Sequence, residues 1–351
     1  LMGVRLAILG VTGAVGAELL RRLERRGFPL DGDPVLLASP RSAGRRLPWR
    51  GGEVEVREVT EDAFDGVDVA LFSAGADRSR TWAPVAARAG AVVVDNSSAW
   101  RRDPEVPLVV AEVNPADAVD RPLGIVANPN CTTMALMVAV GPLHRAFGLR
   151  AMVASSYQAA GGAGQSGIDE LAATQAAVDG RRDDLLHDGA AVEAAVATAV
   201  FARPLAHNVV PFCGSYRDDR YTDEERKLVD ESRRILGVPD LAVAPTCVRV
   251  PVYVGHAISA RLTFAREVTH ADVVGALTGA PGLVLADAIG PEGEPLELPT
   301  SLAGAGRDEV LVGRIREDYD DPCSVNLFVS GDNLVKGAAL NAVQLAELVV
   351  G

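Results

Sequence analysis

The sequence predicts an α/β protein in which a Rossmann-type parallel sheet domain is joined to an α+β domain. Three observations carry this prediction. The first half alternates short, continuously apolar runs with helical stretches, the rhythm of β-α-β units whose strands are covered on both faces. Its first run opens into "ILGVTGAVG", a glycine set between a strand and a helix. From Cys131 onward the rhythm gives way to one apolar helix, alternating strand patterns and an Ala-rich stretch, which read as a mixed sheet with helices.

The apolar runs are "VRLAILG", "PVLLAS", "VDVALFSAG", "AVVVDNS" and "GIVANPN", and the helical stretches between them include "GAVGAELLRRLERRG" and "TWAPVAARAG". In the second half, "TTMALMVAVGPLHRAFG" reads as a helix, "RAMVASSYQAA" as a strand, residues 171–200 as a long Ala-rich helical stretch, and "CVRVPVYVGHAISARLTF" as alternating sheet. The tail "NLVKGAALNAVQLAELVV" has the apolar spacing of a helix that returns to pack on the first domain. A chain of 351 residues accommodates two domains, with boundaries expected near 130 and 330: a first domain over 1–130, completed by a C-terminal helix over 331–351, and a second over 131–330. No internal repeat or charge block interrupts this plan.

Composition narrows the function. No apolar run approaches the ~18 residues needed to cross a bilayer, and the start "LMGVRLAILG" lacks the flanks of a secretory leader, so a cytoplasmic location is expected. A formal charge of -13 argues against nucleic acid and anionic membranes as partners, so an anionic substrate requires a locally basic pocket. Cys131, Cys213, Cys247 and Cys323 show no CxxC pair and no neighbouring His at ligand spacing, so neither a metal site nor a disulfide framework is expected. Nearly every cation is Arg; Lys227 and Lys336 alone remain as lysines, as though a compact ammonium were needed there.

The turn holding Gly10, Thr12, Gly13, Ala14, Val15 and Gly16 is a candidate dinucleotide cradle, since small residues let a diphosphate approach the helix N-terminus. A plain tight turn gives the same glycine set. After the next strand, "ASPRSAGR" offers Ser39, Arg41 and Ser42 where an NAD site usually carries an acid, which suits a 2′-phosphate and favours NADP; a solvated basic loop is the alternative. Ser73 and Gly75 in "FSAG" and the polar end of "VVDNSS" lie at strand carboxyl ends facing the ligand crevice, either as cofactor contacts or as turn caps.

Cys131 follows the turn "NPN" and begins a helix, where the dipole and unsatisfied N–H groups favour a thiolate; a buried core thiol is the alternative. Asn130 brings an amide suited to a developing oxyanion. A thiolate that makes and breaks an acyl bond needs a proton partner, and His256 in "YVGHA" is the best placed of five histidines; His144, His187, His207 and His270 lie in helical or loop contexts. Arg249 precedes His256 by seven residues on the same run, an odd spacing that puts the two on opposite strand faces unless "VGH" bends the chain. Arg249 suits bidentate carboxylate binding, and Gln158 ends a strand before a Gly-rich turn with its amide available to thiol and carbonyl. Glu224 and Lys227 stand one helical turn apart, the spacing of an ordinary surface pair.

In this order "GVTGAVG", "ASPRSAG", "NSSAWR", "NPNCTT", "SSYQAAGGAG", "TDEERK", "CVRVPVYVGH" and "GDNLVKGAALNAVQLAE" resemble the aspartate-semialdehyde dehydrogenase family from first strand to last helix. The resemblance implies reversible NADPH-dependent reduction of L-aspartyl 4-phosphate to aspartate 4-semialdehyde and phosphate, on the route to lysine, threonine, methionine and diaminopimelate. It implies Cys131 as the nucleophile, His256 as acid/base and Gln158 as the group that orients the acyl. Arg249 becomes the carboxylate clamp, Glu224 the partner of the substrate ammonium, and Arg101 with Lys227 the phosphate site. Asn333, in the segment that also carries Lys336, joins the cofactor side. It further implies a homodimer or homotetramer assembled through the second domain.

Three positions depart from the family pattern: Gly162 and Ala257, where Ser is frequent, and Arg226, where an apolar or aromatic residue is usual. None removes a catalytic group. The nearest rival, N-acetyl-γ-glutamyl-phosphate reductase, typically has Gly before its Cys and an aromatic after it, and Asn130 and Thr132 argue against it. A binding protein descended from such an enzyme normally loses the thiol or its proton partner, and both are present.

Overall fold

A computed structural model describes residues 3–351; Leu1 and Met2, at the head of the stretch read for a leader, lie outside the described residues. The chain forms two compact units. One holds the residues up to Met137 with Arg234–Gly237 and Leu334–Gly351, and the other holds Val138–Arg233 and Val238–Asn333.

The first unit is built on strands β1 (Leu6–Leu9), β2 (Val35–Ala38), β3 (Arg46–Trp49), β4 (Gly52–Glu58), β5 (Val69–Phe72), β6 (Val92–Asp95) and β7 (Ile125–Ala127), in the sheet order β3-β4-β2-β1-β5-β6-β7. Every pairing is parallel except the β3–β4 hairpin. The crossovers include α1 (Ala14–Arg25) and α2 (Ala76–Arg88), and α3 (Cys131–Phe147) follows β7. β1 and β5 are buried at every position, which is why those runs carry no alternation. Leu6, Ile8, Leu36, Leu71 and Val94 pack with Leu19 and Leu23 of α1 and with Ala342, Val343 and Ala346 of the C-terminal helix Asn341–Val350.

A π-helical turn, Val335–Leu340, precedes that last helix. Within it Lys336 is fully buried; its ammonium donates to Glu112 at 2.5 Å and to Asn341 and Gln344 at 2.8 Å each. A buried ammonium is tolerated only when paired and fully hydrogen-bonded, so Lys336 is a structural cation of this unit.

The second unit carries a six-stranded mixed sheet. Along the chain come β8 (Leu149–Gln158), α4 (Gln165–Val178), α5 (Arg182–His187), α6 (Gly189–Ala195), α7 (Asp223–Leu236), β9 (Ala242–Arg249), β10 (His256–Phe264), α8 (His270–Leu277), β11 (Leu283–Leu285), α9 (Ser301–Gly304), β12 (Val310–Glu317) and β13 (Ser324–Gly331). The sheet order is β11-β12-β13-β10-β8-β9.

Two sequence expectations need correction here. The Ala-rich stretch 171–200 is not one helix: Gly180, at φ 73°, ends the α4 region, Asp188 caps α6 by accepting the Ala191 N–H, and no helix follows Ala195. The run from Cys247 to Phe264 is not one strand either. Pro251 and the positive-φ Gly255 break it into β9 and β10, and β8 lies between them in the sheet. Among the described residues, no helix is long and apolar enough to cross a membrane.

Candidate active site

Strand register in the second unit brings three of the proposed site residues into one row. β8 pairs with β9 in parallel with Gln158 opposite Arg249, and β10 pairs with β8 antiparallel with Ala257 opposite Tyr157, which sets His256 opposite Gln158. Residues in register on neighbouring strands share a sheet face, so Arg249, Gln158 and His256 stand side by side. The opposite-face problem posed by their spacing disappears because Arg249 and His256 belong to different strands. All three are buried, at 8%, 2% and 0% exposure, polar groups that an apolar sheet interior tolerates only with partners or a function.

Ala159, the residue after Gln158, ties the row together. Its N–H donates to His256 Nδ1 at 3.0 Å, and its carbonyl accepts from Arg249 Nη1 at 2.8 Å. Because Nδ1 accepts, the neutral ring carries its proton on Nε2. Burial first, and then the Arg249 charge, pull the His256 pKa down from 6.5 to about 3, so the ring is neutral near pH 7. Arg249 keeps one buried donor, Nε, without a partner among the described residues. Gly162 packs against both: a Cβ there would lie 2.9 Å from Arg249 Nη1 and 3.0 Å from His256 Cε1, so the side chain frequent at this position in the family would force one of them to shift.

Arg249 also borders a cavity of about 500 Å³ shared with Phe201, Asp223, Glu224 and Lys227. Lys227 donates to Glu224 at 2.6 Å and lies 3.1 Å from Asp223. Burial opposes its charge, but the two carboxylates outweigh that and hold the ammonium above the ordinary lysine range. The spacing of a surface pair thus resolves into a part-buried triad on the first turns of α7. Two cations facing two carboxylates suit a zwitterion better than a bare dianion. Asp223 was not singled out from the sequence, since its partner Ser215, whose N–H it accepts at 2.7 Å, is eight residues away on a loop.

In the first unit Cys131 is the first residue of α3. Asn130 is its N-cap, with Oδ1 accepting from the N–H groups of Thr132 at 3.0 Å and Thr133 at 3.3 Å. The sequence pointed to the Asn130 amide as an oxyanion donor; the structure adds that its carbonyl fixes the helix start. Asn130→Ala is therefore expected to lower unfolding free energy by about 1 kcal/mol, while Asn130→Ser, which can still cap, keeps most of it. Denaturant unfolding of the two variants checks this, and equal losses would remove the capping role. Arg101 donates from Nε to the Asn128 carbonyl at 2.9 Å and from Nη2 to the Asn96 carbonyl at 3.0 Å. Asn128 in turn accepts from Asn341 Nδ2 at 2.6 Å, a buried amide link that no local sequence signal announces.

The glycine turn fits a dinucleotide. A Cβ on Gly10 would lie 2.4 Å from the Ser73 carbonyl and one on Gly16 2.3 Å from the Gly10 carbonyl, so both are small because the chain packs on itself. Gly13, the N-cap of α1, meets nothing closer than 3.5 Å and caps without a side chain, leaving the first amides of α1 approachable. Thr12, Ala14 and Val15 are half-buried in the same turn, and Ser73 and Gly75 follow β5 next to it. Ser39, Arg41 and Ser42 follow β2 on a 3₁₀ turn, Arg41 exposed and the serines half-buried. In "VVDNSS", Ser97 is a turn cap: it donates to Asp95 at 2.6 Å and accepts the Ala99 N–H. Asn333 is placed in the second unit, where its Oδ1 accepts the Gly255 N–H at 2.9 Å and its buried Nδ2 has no partner among the described residues. Its position beside the turn into His256 is a contact the sequence did not indicate.

Residues 5–121 match the family described as semialdehyde dehydrogenase, NAD binding domain, and residues 140–336 match semialdehyde dehydrogenase, dimerisation domain. The chain is 49% identical to an aspartate-semialdehyde dehydrogenase of Corynebacterium glutamicum over 352 residues, 98% of this chain and 99% of that one. It is 47% identical to the one of Mycolicibacterium smegmatis, with 99% of each chain covered. Among solved structures it is similar to aspartate semialdehyde dehydrogenase II of Vibrio cholerae complexed with ASA, at TM-score 0.92, 39% identity and 100% and 99% coverage. It is also similar to the Candida albicans enzyme with NADP, at TM-score 0.74, 25% identity and 99% coverage of both. With both family halves matched in chain order and relatives nearly half identical end to end, the chain belongs to the aspartate-semialdehyde dehydrogenase family.

Proposed function

We propose that the protein catalyses the NADPH-dependent reductive dephosphorylation of L-aspartyl 4-phosphate to L-aspartate 4-semialdehyde, through a thioester on Cys131. The observation that carries the reading is the pocket of the second unit, where the Arg249 guanidinium, with a buried unpaired donor, shares one cavity with the Glu224 carboxylate. Arg249 takes the α-carboxylate in a fork, and Glu224 takes the α-ammonium. Arg101, oriented by two backbone carbonyls, and Lys227 take the phosphate.

Cys131 sulfur attacks the acyl carbon; the C–O bond to phosphate breaks, the leaving oxygen keeps the electron pair, and a thioester remains. Gln158 orients the acyl group and Asn130 offers its amide to the oxyanion. His256 supplies the proton-donor half of acid/base work, because its neutral ring presents Nε2–H to the charge that develops on oxygen. NADPH, when bound, supplies the hydride that reduces the acyl carbon. Gly10, Thr12, Gly13, Ala14, Val15 and Gly16 form the diphosphate cradle, Ser39, Arg41 and Ser42 the 2′-phosphate contacts, and Ser73, Gly75 and Asn333 further cofactor contacts. Reduction ends when the oxyanion re-forms the carbonyl as the C–S bond breaks, its electron pair returning to the Cys131 sulfur as thiolate. The protein works as a cytoplasmic homodimer or homotetramer.

The test is phosphate-dependent oxidation of L-aspartate 4-semialdehyde, with NADP and NAD side by side and N-acetyl-L-glutamate 5-semialdehyde as competitor substrate. Turnover of the aspartate compound with NADP, absent without phosphate, is expected. Faster turnover of the acetylated aldehyde overturns the substrate assignment, and equal rates with NAD overturn the role of Arg41.

A further inference from the structure

We propose that Phe201 is a positioning residue for substrate recognition: its ring backs the Arg249 guanidinium and sets the plane in which the fork meets a carboxylate. The inference rests on the reading of Arg249 as the carboxylate clamp and deepens it. The Arg249 guanidinium carbon lies 5.5 Å from the centroid of the Phe201 ring, and both side chains border the same cavity as Glu224. A planar cation over a ring face in a part-buried site is attracted and restricted to one orientation.

That restriction matters because the hydrogen bonds leave Arg249 under-determined. One nitrogen, Nη1, is tied to the Ala159 carbonyl, while buried Nε has no partner among the described residues. A guanidinium held at one corner pivots, and a bidentate contact needs two donors in one plane. The ring supplies the second constraint.

The ring itself is held from outside the pocket. Phe201 lies on an irregular segment after α6, with no helix or strand to support it. Glu170 on α4 gathers that segment: its carboxylate accepts the N–H groups of Ala199 at 2.6 Å, Val200 at 2.7 Å and Phe201 at 3.0 Å. Burial works against the charge of Glu170, and the three N–H donors outweigh it, so the carboxyl stays below its usual range. The ring packs on the cluster of Ala160, Leu171, Leu205 and Val210, and Gly167 of α4 makes room for it, since a Cβ there would lie 3.1 Å from Phe201 Cζ.

Steady-state kinetics in the oxidative direction test the assignment. Phe201→Leu, which keeps an apolar contact and loses the ring face, is expected to raise the semialdehyde KM by about 3- to 10-fold, with kcat and the phosphate KM changed by less than about 2-fold. Phe201→Tyr should restore the wild-type KM. Glu170→Ala should follow Phe201→Leu in direction, and Glu170→Gln, which keeps an acceptor, should fall between. An unchanged semialdehyde KM in Phe201→Leu, or a parallel rise in both KM values, overturns the inference. Arg249→Lys separates the two levels: if it leaves the semialdehyde KM unchanged, the clamp itself is wrong, whereas a large rise there beside a silent Phe201→Leu sinks only the role of the ring.

Discussion

Cys131→Ala is expected to lower kcat/KM for phosphate-dependent semialdehyde oxidation by at least about 10⁴-fold, the scale on which removing a covalent nucleophile acts. No neighbouring group can substitute, because the reaction passes through an acyl group bonded to that sulfur. The other thiols are differently placed: Cys213 and Cys247 are buried at 2% and 1% exposure, and burial pushes the Cys247 thiol far up. Cys323 is the fair comparison, being partly exposed but not itself a residue of a helix's first turn. Iodoacetamide near neutral pH should therefore modify Cys131 ahead of Cys323, with activity lost in step. Residual turnover in Cys131→Ala above about one part in a thousand would refute the covalent route.

The legible part of this protein was the part set by local pattern. The β-α-β rhythm of the first unit reads directly because a strand buried on both faces is continuously apolar, and the glycine turn reads because Gly10 and Gly16 stand where a side chain has no room. Cys131 reads because a polar turn, "NPN", meets an apolar helix. The β3–β4 hairpin does not read as one: its strands are mostly exposed, and the turn is made by Arg50 and Gly51, both at positive φ. The mixed sheet of the second unit is harder for a different reason. β12 and β13 pair with partners set by topology, and a sequence states alternation but not which strands adjoin.

Site residues divide along the same line. Arg249 and His256 were named from sequence with their relative geometry open, since seven residues on an alternating run put them on opposite faces unless "VGH" bends the chain; the chain turns at Gly255, and the fold inserts β8 between the two strands. For Lys336 the sequence marked only the need for a compact ammonium, and the partner that explains it, Glu112, is 224 residues away. Asn128, Asn341 and Glu170 act through contacts at long sequence separation and leave no periodic or motif signal.

His256→Ala should lower kcat by about 10² to 10⁴-fold, and His256→Gln by less, because glutamine keeps an N–H donor near the place of Nε2. The pH dependence decides how the imidazole works. With its pKa pulled to about 3 by burial and by Arg249, the ring is neutral across the working range. The acid limb of kcat/KM in the wild type is therefore expected to lie well below the 6.5 of an ordinary histidine. The same shift has a sign for stability. Between 6.5 and about 3 the unfolded chain binds the proton that the folded chain refuses, so this group makes stability fall as pH drops through that window, with no further loss below it. His256→Gln should lose that share of the acid sensitivity and unfold at lower pH than the wild type when both are titrated at fixed temperature. A wild-type acid limb near 6.5 that disappears in His256→Gln would instead mean that the ring ionises in the free enzyme and serves as a base, and the donor assignment would fall.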